Sequence, residues 1–323
     1  MAMFEEASIG ELTVDTIIGG AINPFRRIVY LDPTAGSDGN GRGRSVGKAV
    51  KTLANARLQI ETLKSDAIVL VNGASPLSLA ANPLITESLT SFLGNAAPNM
   101  LGKRSMIQPA TDYGTPMLTI SGYGNLFQDL YYRHGDAFGT ATSVVGVLVS
   151  GNYNTFRRVH FNGPVNALLG QAATFREVSI TATGNVHFDH CVVGTDTIDL
   201  TTNNSLVSLA AGSITTWEDC IFLCRISATT PHFFEVLNTS GITRANFKRC
   251  QFICLATNMA TTMAQAFTFT GGATCAMVFD SECQFVNVTE LALSASLGYI
   301  WTPRQFPSSA DELNLISLNT ATY

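Results

Sequence analysis

The chain has 323 residues, of which 46% are hydrophobic and 13% charged, so it can fill a large core and has few charges for helix faces. Its net charge of −5 and its pI near 5.5 argue against a nucleic-acid binder held by phosphate contacts. No run of about twenty apolar residues predicts a membrane span. Seven cysteines, an odd number, do not indicate a disulfide framework.

Residues 1–26 differ from the rest of the chain, because MAMFEEASIGELTVDTIIGG alternates only weakly in polarity and belongs to no repeat. Its acidic residues stand where a secretory signal would need basic ones, so we expect synthesis in a cytoplasm and retention there until release. We predict that this segment is an arm that becomes ordered against a partner. The apolar side chains that would bind the partner are Phe4, Ile9, Leu12, Val14, Ile17 and Ile18.

Residues 27–104 carry the pattern of a strand, a helix, a second strand and the first coils of a longer structure. IVYLDP and DAIVLVNG are typical of strands. Between them, SVGKAVKTLANARLQIETLKS has a helical apolar stripe from Val46 to Leu63, with Ser45 as the predicted N-cap. The basic, glycine-rich segment 36–44 lacks the GxxxxGK[ST] spacing of a phosphate cradle, so we interpret it as a turn.

A short phrase recurs through residues 105–290. YNTFRRVHFNG and RANFKRCQFIC share an aromatic residue, two polar residues, a branched or thiol side chain, one variable residue and a second aromatic. Copies recur about every thirty residues, which indicates a repeat architecture. A further match at Phe175 is assigned to a second strand within a longer turn. The leading aromatics of the main series are Phe127, Phe156, Phe188, Trp217, Phe247 and Phe279.

These repeats predict strands, because they are rich in Phe, Val, Ile and Thr, alternate in polarity and are separated by Gly-, Asn- and Thr-rich turns. Ankyrin and tetratricopeptide repeats would need paired amphipathic helices. We therefore predict an all-β fold, a right-handed parallel β-helix with the six leading aromatics stacked inside. The helical unit caps its amino-terminal end, both terminal arms are extended, and residues 291–323 form a carboxy-terminal cap or tail.

Four cysteines occupy one position of the repeat, namely Cys191, Cys220, Cys250 and Cys283. In a β-helix such positions stack about 4.8 Å apart, which predicts a buried column of reduced thiols. The alternative is a metal site built from CIFLC and CQFIC. A CxxxC pattern on a strand lacks the tight turn of zinc knuckles, and no histidine lies near in sequence. We expect no metal and no cofactor.

Few residues suggest chemistry. Glu218 and Asp219, on one coil, are candidates for half of a glycosidase pair, but adjacent strand residues face opposite sides and cannot both flank one bond. A carboxylate from a neighbouring coil, such as Asp189, is the candidate for the other half. No nucleophile–base arrangement can be recognised, and no catalytic residue is assigned. The histidines are scattered and are predicted to be mainly surface or loop residues: His134, His160, His187, His190 and His232.

The segment IVYLDPTAGSDGNGRGRSVGKAVKTLANA resembles the opening of many phage β-helix proteins, in which a Tyr-x-Asp-Pro strand, a Gly-Ser-Asp turn and a Lys-Thr-Leu helix follow one another. Further matching segments are TVDTIIGG, VHFNG, CIFLC and TNMATTMAQAF, the last at 257–267. Over most of its length the chain thus resembles a family encoded beside the major capsid protein of tailed phages.

This resemblance implies a structural virion protein, a capsid decoration (cement) protein that is not an enzyme. As such it would form a homotrimer on the capsid exterior and bind the major capsid protein through its arm, without contacting nucleic acid or membrane. The opening is shared with tailspikes, which implies the alternative of a tailspike or tail-fibre domain that binds or cleaves host surface polysaccharide.

Overall fold

The chain winds around one axis as a solenoid of short parallel strands, described from a computed structural model. The structure describes residues 25–71, 75–79, 83–95, 105–110, 116–135, 144–210, 212–237, 242–258, 261–270, 275–292, 299–302 and 315–317. Successive coils pair strand to strand in parallel, and the predicted right-handed parallel β-helix is confirmed. Within these residues, no helix is both long enough and apolar enough to span a membrane.

Three long sheets form the walls of the solenoid, and each coil passes from sheet I to sheet II to sheet III. Sheet I contains Ile28–Leu31, Ala67–Leu70, Ser91–Gly94, Leu126–Gln128, Thr155–Arg157, Asn185–Asp189, Ile214–Glu218, Thr243–Lys248, Cys275–Phe279, Tyr299–Trp301 and Leu315–Ser317. Sheet II contains Leu77–Leu79, Ser105–Pro109, Leu130–Arg133, His160–Asn162, Val192–Leu200, Ile221–Ile226, Gln251–Ala256 and Gln284–Val286. Sheet III contains Leu84–Ile85, Leu118–Ile120, Val145–Val149, Arg176–Ile180, Ser205–Ala210, His232–Leu237 and Phe267–Thr270.

Two further features complete the strand pairing. Met263–Gln265 and Val288–Glu290 form a small two-stranded parallel sheet. Leu315–Ser317 pairs antiparallel with Tyr299–Trp301 at the end of sheet I. This reversed strand pairs with the outer edge of Tyr299–Trp301 and is itself the last strand of sheet I.

The amino-terminal cap is less helical than the sequence predicts. A single 3₁₀ turn at Val46–Lys48 and a short α-helix at Leu53–Arg57 replace the predicted helix from Val46 to Leu63. The predicted helix is interrupted at Val50, where the chain is extended and lies beside the first strand. The Val50 N–H donates a hydrogen bond to the Tyr30 carbonyl. The predicted N-cap Ser45 caps nothing with its side chain, and the Thr52 hydroxyl accepts from the Asn55 N–H instead.

The six repeat aromatics form one continuous interior stack. Each is the register partner of the next on sheet I, and all are fully buried. Consecutive ring centroids lie 3.7 to 6.5 Å apart, with planes within 14° of parallel. Phe92 extends the stack by one coil, 4.9 Å from Phe127. Phe175 lies just before a strand of sheet III and stacks on His134 instead.

The corner between sheets I and II is made by a single residue with positive φ. Asp129, Arg158, His190, Asp219 and Arg249 all occupy this corner, with φ between +49° and +58°. A left-handed residue reverses the chain direction sharply, so the next residue points back into the core. In the last repeat an extra residue separates Phe279 from Cys283, and no left-handed residue is found there.

The four repeat cysteines follow this corner and are all buried. Each thiol approaches the main-chain carbonyl of the ladder aromatic one coil earlier, at 3.4 to 3.6 Å. Cysteine thus combines the volume of a small apolar side chain with a weak donor that a valine lacks. Burial raises the pKa of the Cys220 and Cys275 thiols, the latter to about 12.

Two buried asparagines brace the corner between sheets III and I. Asn154 Nδ2 donates to the carbonyls of Gly122 and Gly151 at 2.9 and 2.8 Å, and its Oδ1 accepts from the Asn125 N–H at 2.9 Å. Asn125 in turn accepts from the Thr90 N–H at 2.9 Å. Since an unpaired buried main-chain group costs about 1–3 kcal/mol, these carboxamides hold successive coils together at a turn.

Removing one ring of the stack should destabilise the fold strongly. Phe247 is buried between Trp217 and Phe279, so Phe247→Ala leaves a cavity that neighbouring coils cannot fill. We expect the free energy of unfolding to fall by about 3–5 kcal/mol, measured by chemical denaturation. Leu255→Ala, at an exposed position of sheet II, serves as the control and should change stability little. Equal effects of the two variants would contradict an interior stack.

The thiols should be inert in the folded protein. Because all seven are buried and burial disfavours the thiolate, we expect no reaction with a disulfide reagent at about pH 8 until the chain is unfolded. Counting labelled cysteines by mass spectrometry before and after denaturation tests this. Labelling of the native protein, or a stoichiometric disulfide or bound zinc, would contradict it.

Candidate functional site

A row of polar side chains, most of them ionisable, runs along the outer face of sheet I, immediately after the ladder aromatics. Because successive strand residues face opposite sides, the residue after each buried aromatic points to solvent. Register pairing places these residues beside one another on consecutive coils. In order along the axis the row is Gln128, Arg157, Asp189, Glu218 and Lys248.

Opposite charges alternate along this row except at one place. Arg157 Nε lies 2.9 Å from Asp189 Oδ2, and Lys248 Nζ lies 2.5 Å from Glu218 Oε1. Asp189 and Glu218 are direct register partners, one strand spacing of about 4.8 Å apart. Like charges directly opposite each other destabilise a sheet. Within this row, Asp189 and Glu218 are the adjacent pair of like charge.

Imidazole groups lie next to both carboxylates. His190 Nδ1 contacts Asp189 Oδ1 at 2.5 Å, and its Nε2 lies 3.8 Å from Asp219 Oδ2. On the other side, His187 Nε2 lies 3.7 Å from Glu218 Oε2. These three carboxylates and two imidazoles, on adjacent coils, form a partly exposed cluster.

The corner residues form a second column of ion pairs beside the row. Arg249 binds Asp219 through both carboxylate oxygens, each at 2.7 Å. Arg158 binds Asp129 in the same bidentate manner, at 2.7 and 2.8 Å. Bidentate pairs hold both partners in a fixed geometry. This column therefore fixes the corner on which His190 is presented.

Two carboxylates of the cluster are ionised at neutral pH. Burial alone would raise the pKa of Asp189, but hydrogen bonds from His190 and Arg157, with their charges, outweigh burial and hold that pKa below its usual value. The hydrogen bond from Arg249 lowers the pKa of Asp219. Both groups can therefore accept a proton or a hydrogen bond, and neither is a proton donor near neutral pH.

The structure corrects the prediction that Glu218 and Asp219 lie on opposite faces of one strand. Asp219 is not a strand residue, because its φ of +52° puts it in the corner, and both side chains are partly exposed on the outside. The predicted partner of Glu218 on the neighbouring coil, Asp189, does lie beside it.

The prediction that the histidines are mainly surface or loop residues is wrong for His134, His160 and His232, which are all buried. His134 and Glu177 form an interior pair, with His134 Nδ1 3.3 Å from Glu177 Oε2 and each side chain only 1% exposed. Gly146 and Gly163 leave the space for this pair, since a Cβ at either would collide with it. Forty-three residues separate the two partners in sequence, so local pattern carries no signal of the contact.

Glu177 provides a test of this buried pair through pH. Burial raises the pKa of its carboxyl group, against the charge and the hydrogen bond of His134. The folded state then holds the proton more tightly than the unfolded state, so the free energy of unfolding falls as pH rises above the ordinary carboxyl pKa. Glu177→Gln removes this loss. We expect the stability of the variant relative to wild type to increase between about pH 4 and about pH 8, measured by urea unfolding.

Glu282→Gln is the control for that experiment, because Glu282 is exposed. Its stability difference from wild type should vary much less with pH. A difference for Glu177→Gln that stays flat across the same range would show that the buried carboxyl does not titrate in this way.

Two groups of side chains, around Asp189 and in CIFLC, carry atoms that can bind a metal ion. One ligand atom each from Asp189, His190 and Asp219 lies within 4.8 Å of the others, but Arg249 already engages both oxygens of Asp219. The two thiols of CIFLC do not converge on one point. Cys224 follows Cys220 by four positions of extended chain, a distance of about 13 Å. The expectation of no metal or cofactor stays a prediction.

The remaining site prediction concerns the arm. Phe4, Ile9, Leu12, Val14, Ile17 and Ile18 all lie outside the described residues. Sequence reasoning also missed Arg157, His187 and Lys248 as neighbours of the carboxylate pair. A signal for the row exists in the repeat itself, because aligning the copies puts Arg157, Asp189, Glu218 and Lys248 at one position.

No family model and no curated protein matches the chain. Solved structures similar to it include a pectin methylesterase in complex with a hexasaccharide, at 13% identity and a TM-score of 0.54, over 89% of this chain and 91% of that one. A mutant pectin methylesterase with another hexasaccharide gives 13% and 0.53 over the same shares. A pectin methylesterase from Erwinia chrysanthemi gives 14% and 0.52, over 81% and 80%. Identities this low show a common fold.

These structures overturn the expectation that the chain is not an enzyme. That expectation treated the β-helix as a passive binding scaffold, whereas the solved chains that share this fold over 89% of its length are enzymes. The described residues and the similar structures offer no support for phage origin or capsid association. The capsid partner, the homotrimer and the virion location therefore stay predictions.

Proposed function

We propose that the chain binds a polysaccharide along the outer face of sheet I and hydrolyses it there, with Asp189 and Glu218 as the reacting carboxylates. The observation that carries this proposal is the in-register pair of like charges on the outside of a fold shared with carbohydrate-active enzymes. A pair that costs stability at a solvent-facing position is typical of a functional site.

The chemistry of the pair supports hydrolysis. Asp189 is ionised and can act as a general base that takes a proton from the attacking water, and the carboxyl group so formed can then donate that proton to the departing oxygen as the bond breaks. Glu218, on the next coil, can accept a hydrogen bond from the same water and orient it. Carboxyl groups on register partners are separated by about one strand spacing, 4.8 Å. Retaining glycosidases separate their two carboxyl groups by a similar distance, about 5–5.5 Å.

The surroundings of the pair suit a polar polymer. Thr216 and Asn246 are on the same outward row of sheet I as His187, and Arg157 and Lys248 flank the carboxylates. Such side chains offer donors and acceptors to sugar hydroxyl and carboxyl groups. The resemblance of the sequence to phage β-helix proteins favours a bacterial surface polysaccharide as the substrate, which is the tailspike alternative.

The test is turnover of defined polysaccharides by purified protein. We would incubate it with methyl-esterified pectin, polygalacturonate and lipopolysaccharide O-chains, and measure released methanol and new reducing ends. Methanol indicates ester hydrolysis and reducing ends indicate glycosidic cleavage. We expect Asp189→Asn and Glu218→Gln each to lower kcat by about 10²- to 10⁴-fold, as for loss of a general acid or base.

Asp196→Asn is the matched control, because it removes an exposed carboxylate from sheet II and should leave kcat unchanged. Circular dichroism of each variant verifies the fold. If wild-type protein hydrolyses none of these polymers, or if Asp189→Asn and Glu218→Gln keep full activity, the proposed function is wrong.

A further inference from the structure

A column of bulky residues in left-handed conformations runs along the corner between sheets III and I. Leu63, Leu89 and Tyr153 have φ of +65°, +53° and +60°. The residue between Leu89 and Tyr153 in this column is Gly124, with φ of +66°. Hydrogen bonds link the column from coil to coil, including Leu89 N–H to the Tyr123 carbonyl at 2.9 Å and Tyr153 N–H to the Asn185 carbonyl at 2.8 Å.

Tyr153 is costly where it stands. A residue with a Cβ is strained in the left-handed region, and glycine would adopt it freely. The side chain of Tyr153 is also 65% exposed, so burial of its ring does not compensate for the strain. Backbone outliers of this kind concentrate where a surface binds something.

A second exposed tyrosine lies one coil away. The turn SGYGN at 121–125 aligns with SGNYN at 150–154, and Tyr123 is 47% exposed beside Tyr153. The alignment puts glycine at the left-handed position of the first turn, where the Leu89 side chain covers it: a Cβ on Gly124 would lie 2.6 Å from Leu89 Cδ2. Leu89, Tyr123 and Tyr153 are thus exposed side chains on three consecutive coils of one corner, with Asn152 next to Tyr153 in sequence and Asn185 next to it on the following coil.

We infer that Tyr123 and Tyr153, with Leu89, form a stacking platform for the sugar rings of the polysaccharide. An exposed aromatic ring binds the apolar face of a sugar, and its neighbouring carboxamides bind hydroxyl groups. The similar structures solved with bound hexasaccharides point to the same class of occupant.

The platform and the carboxylate pair lie on the same face. Asn185 is the axial neighbour of Tyr153, and four strand residues separate it from Asp189, a distance of about 13 Å. A chain of a few sugars resting on the tyrosines therefore reaches the carboxylates across sheet I. This inference rests on the proposed function and assigns its substrate-binding subsite.

A glycine substitution at Tyr153 distinguishes a loss of binding from a loss of stability. Tyr153→Gly removes the ring and also relieves the strained backbone, so we expect a melting temperature equal to or above that of wild type. Affinity for the polymer that wild type binds should fall about tenfold, as for loss of one anchoring side chain. Binding is measured by affinity electrophoresis in gels containing pectin, polygalacturonate or lipopolysaccharide O-chains. Tyr123→Ala should also weaken binding, and Tyr153→Trp should retain it.

Leu63→Gly is the matched control, because it makes the same backbone change in the same column without removing a ring from the platform. Its affinity should equal that of wild type. Unchanged affinity in both Tyr153→Gly and Tyr123→Ala overturns the platform while leaving the proposed function intact. A loss of affinity that accompanies a lower melting temperature in Tyr153→Gly also overturns it, since the ring would then be structural. Failure of wild type to bind any of the polymers would reject both proposals.

Discussion

Register between coils is the constraint on which the rest of this structure depends. Each coil hydrogen-bonds to the next in parallel, so residues at one repeat position fall into one column along the axis, about 4.8 Å apart. A side chain that packs well on its own kind therefore stabilises every coil of its column, and a side chain that repels its own kind destabilises every coil. Aromatics stack, thiols line a corner and asparagines bridge coils because each pattern satisfies the neighbour above and below.

The same constraint explains the charges on the outside. Columns of side chains with one sign of charge would repel along the whole solenoid. Charges of opposite sign therefore alternate from coil to coil: Asp129 pairs with Arg158, and Asp219 pairs with Arg249. Asp189 beside Glu218 departs from that rule. Arg157 and Lys248 flank this pair and offset its repulsion, at the cost of ordering their side chains. Such an arrangement keeps two carboxylates close together and partly exposed, which a stable surface alone does not require.

The sequence predicts those features that repeat. The aromatic ladder and the thiol column are visible in the alignment of YNTFRRVHFNG with RANFKRCQFIC, because register turns sequence period into spatial stacking. Features that depend on a single backbone angle or on a distant partner are not visible. The sequence pattern places Asp219 in a strand, and only its positive φ shows that it forms a corner. The helical stripe from Val46 likewise does not indicate that Val50 pairs with Tyr30. The His134–Glu177 contact depends on two glycines far from either residue.

Two departures from local rules lie on neighbouring coils. Tyr153 is left-handed without being buried, at the corner that precedes sheet I, and Asp189, about 13 Å away along the strand direction, carries a like-charged neighbour. Each lowers the free energy of unfolding, and the aromatic stack and the hydrogen-bonded coils offset this loss. A surface under no selection for binding would replace Tyr153 with glycine and one carboxylate with a base, since both changes fit the columns better. The proposed function accounts for both costs through one extended ligand that would contact Tyr153 and the carboxylate pair.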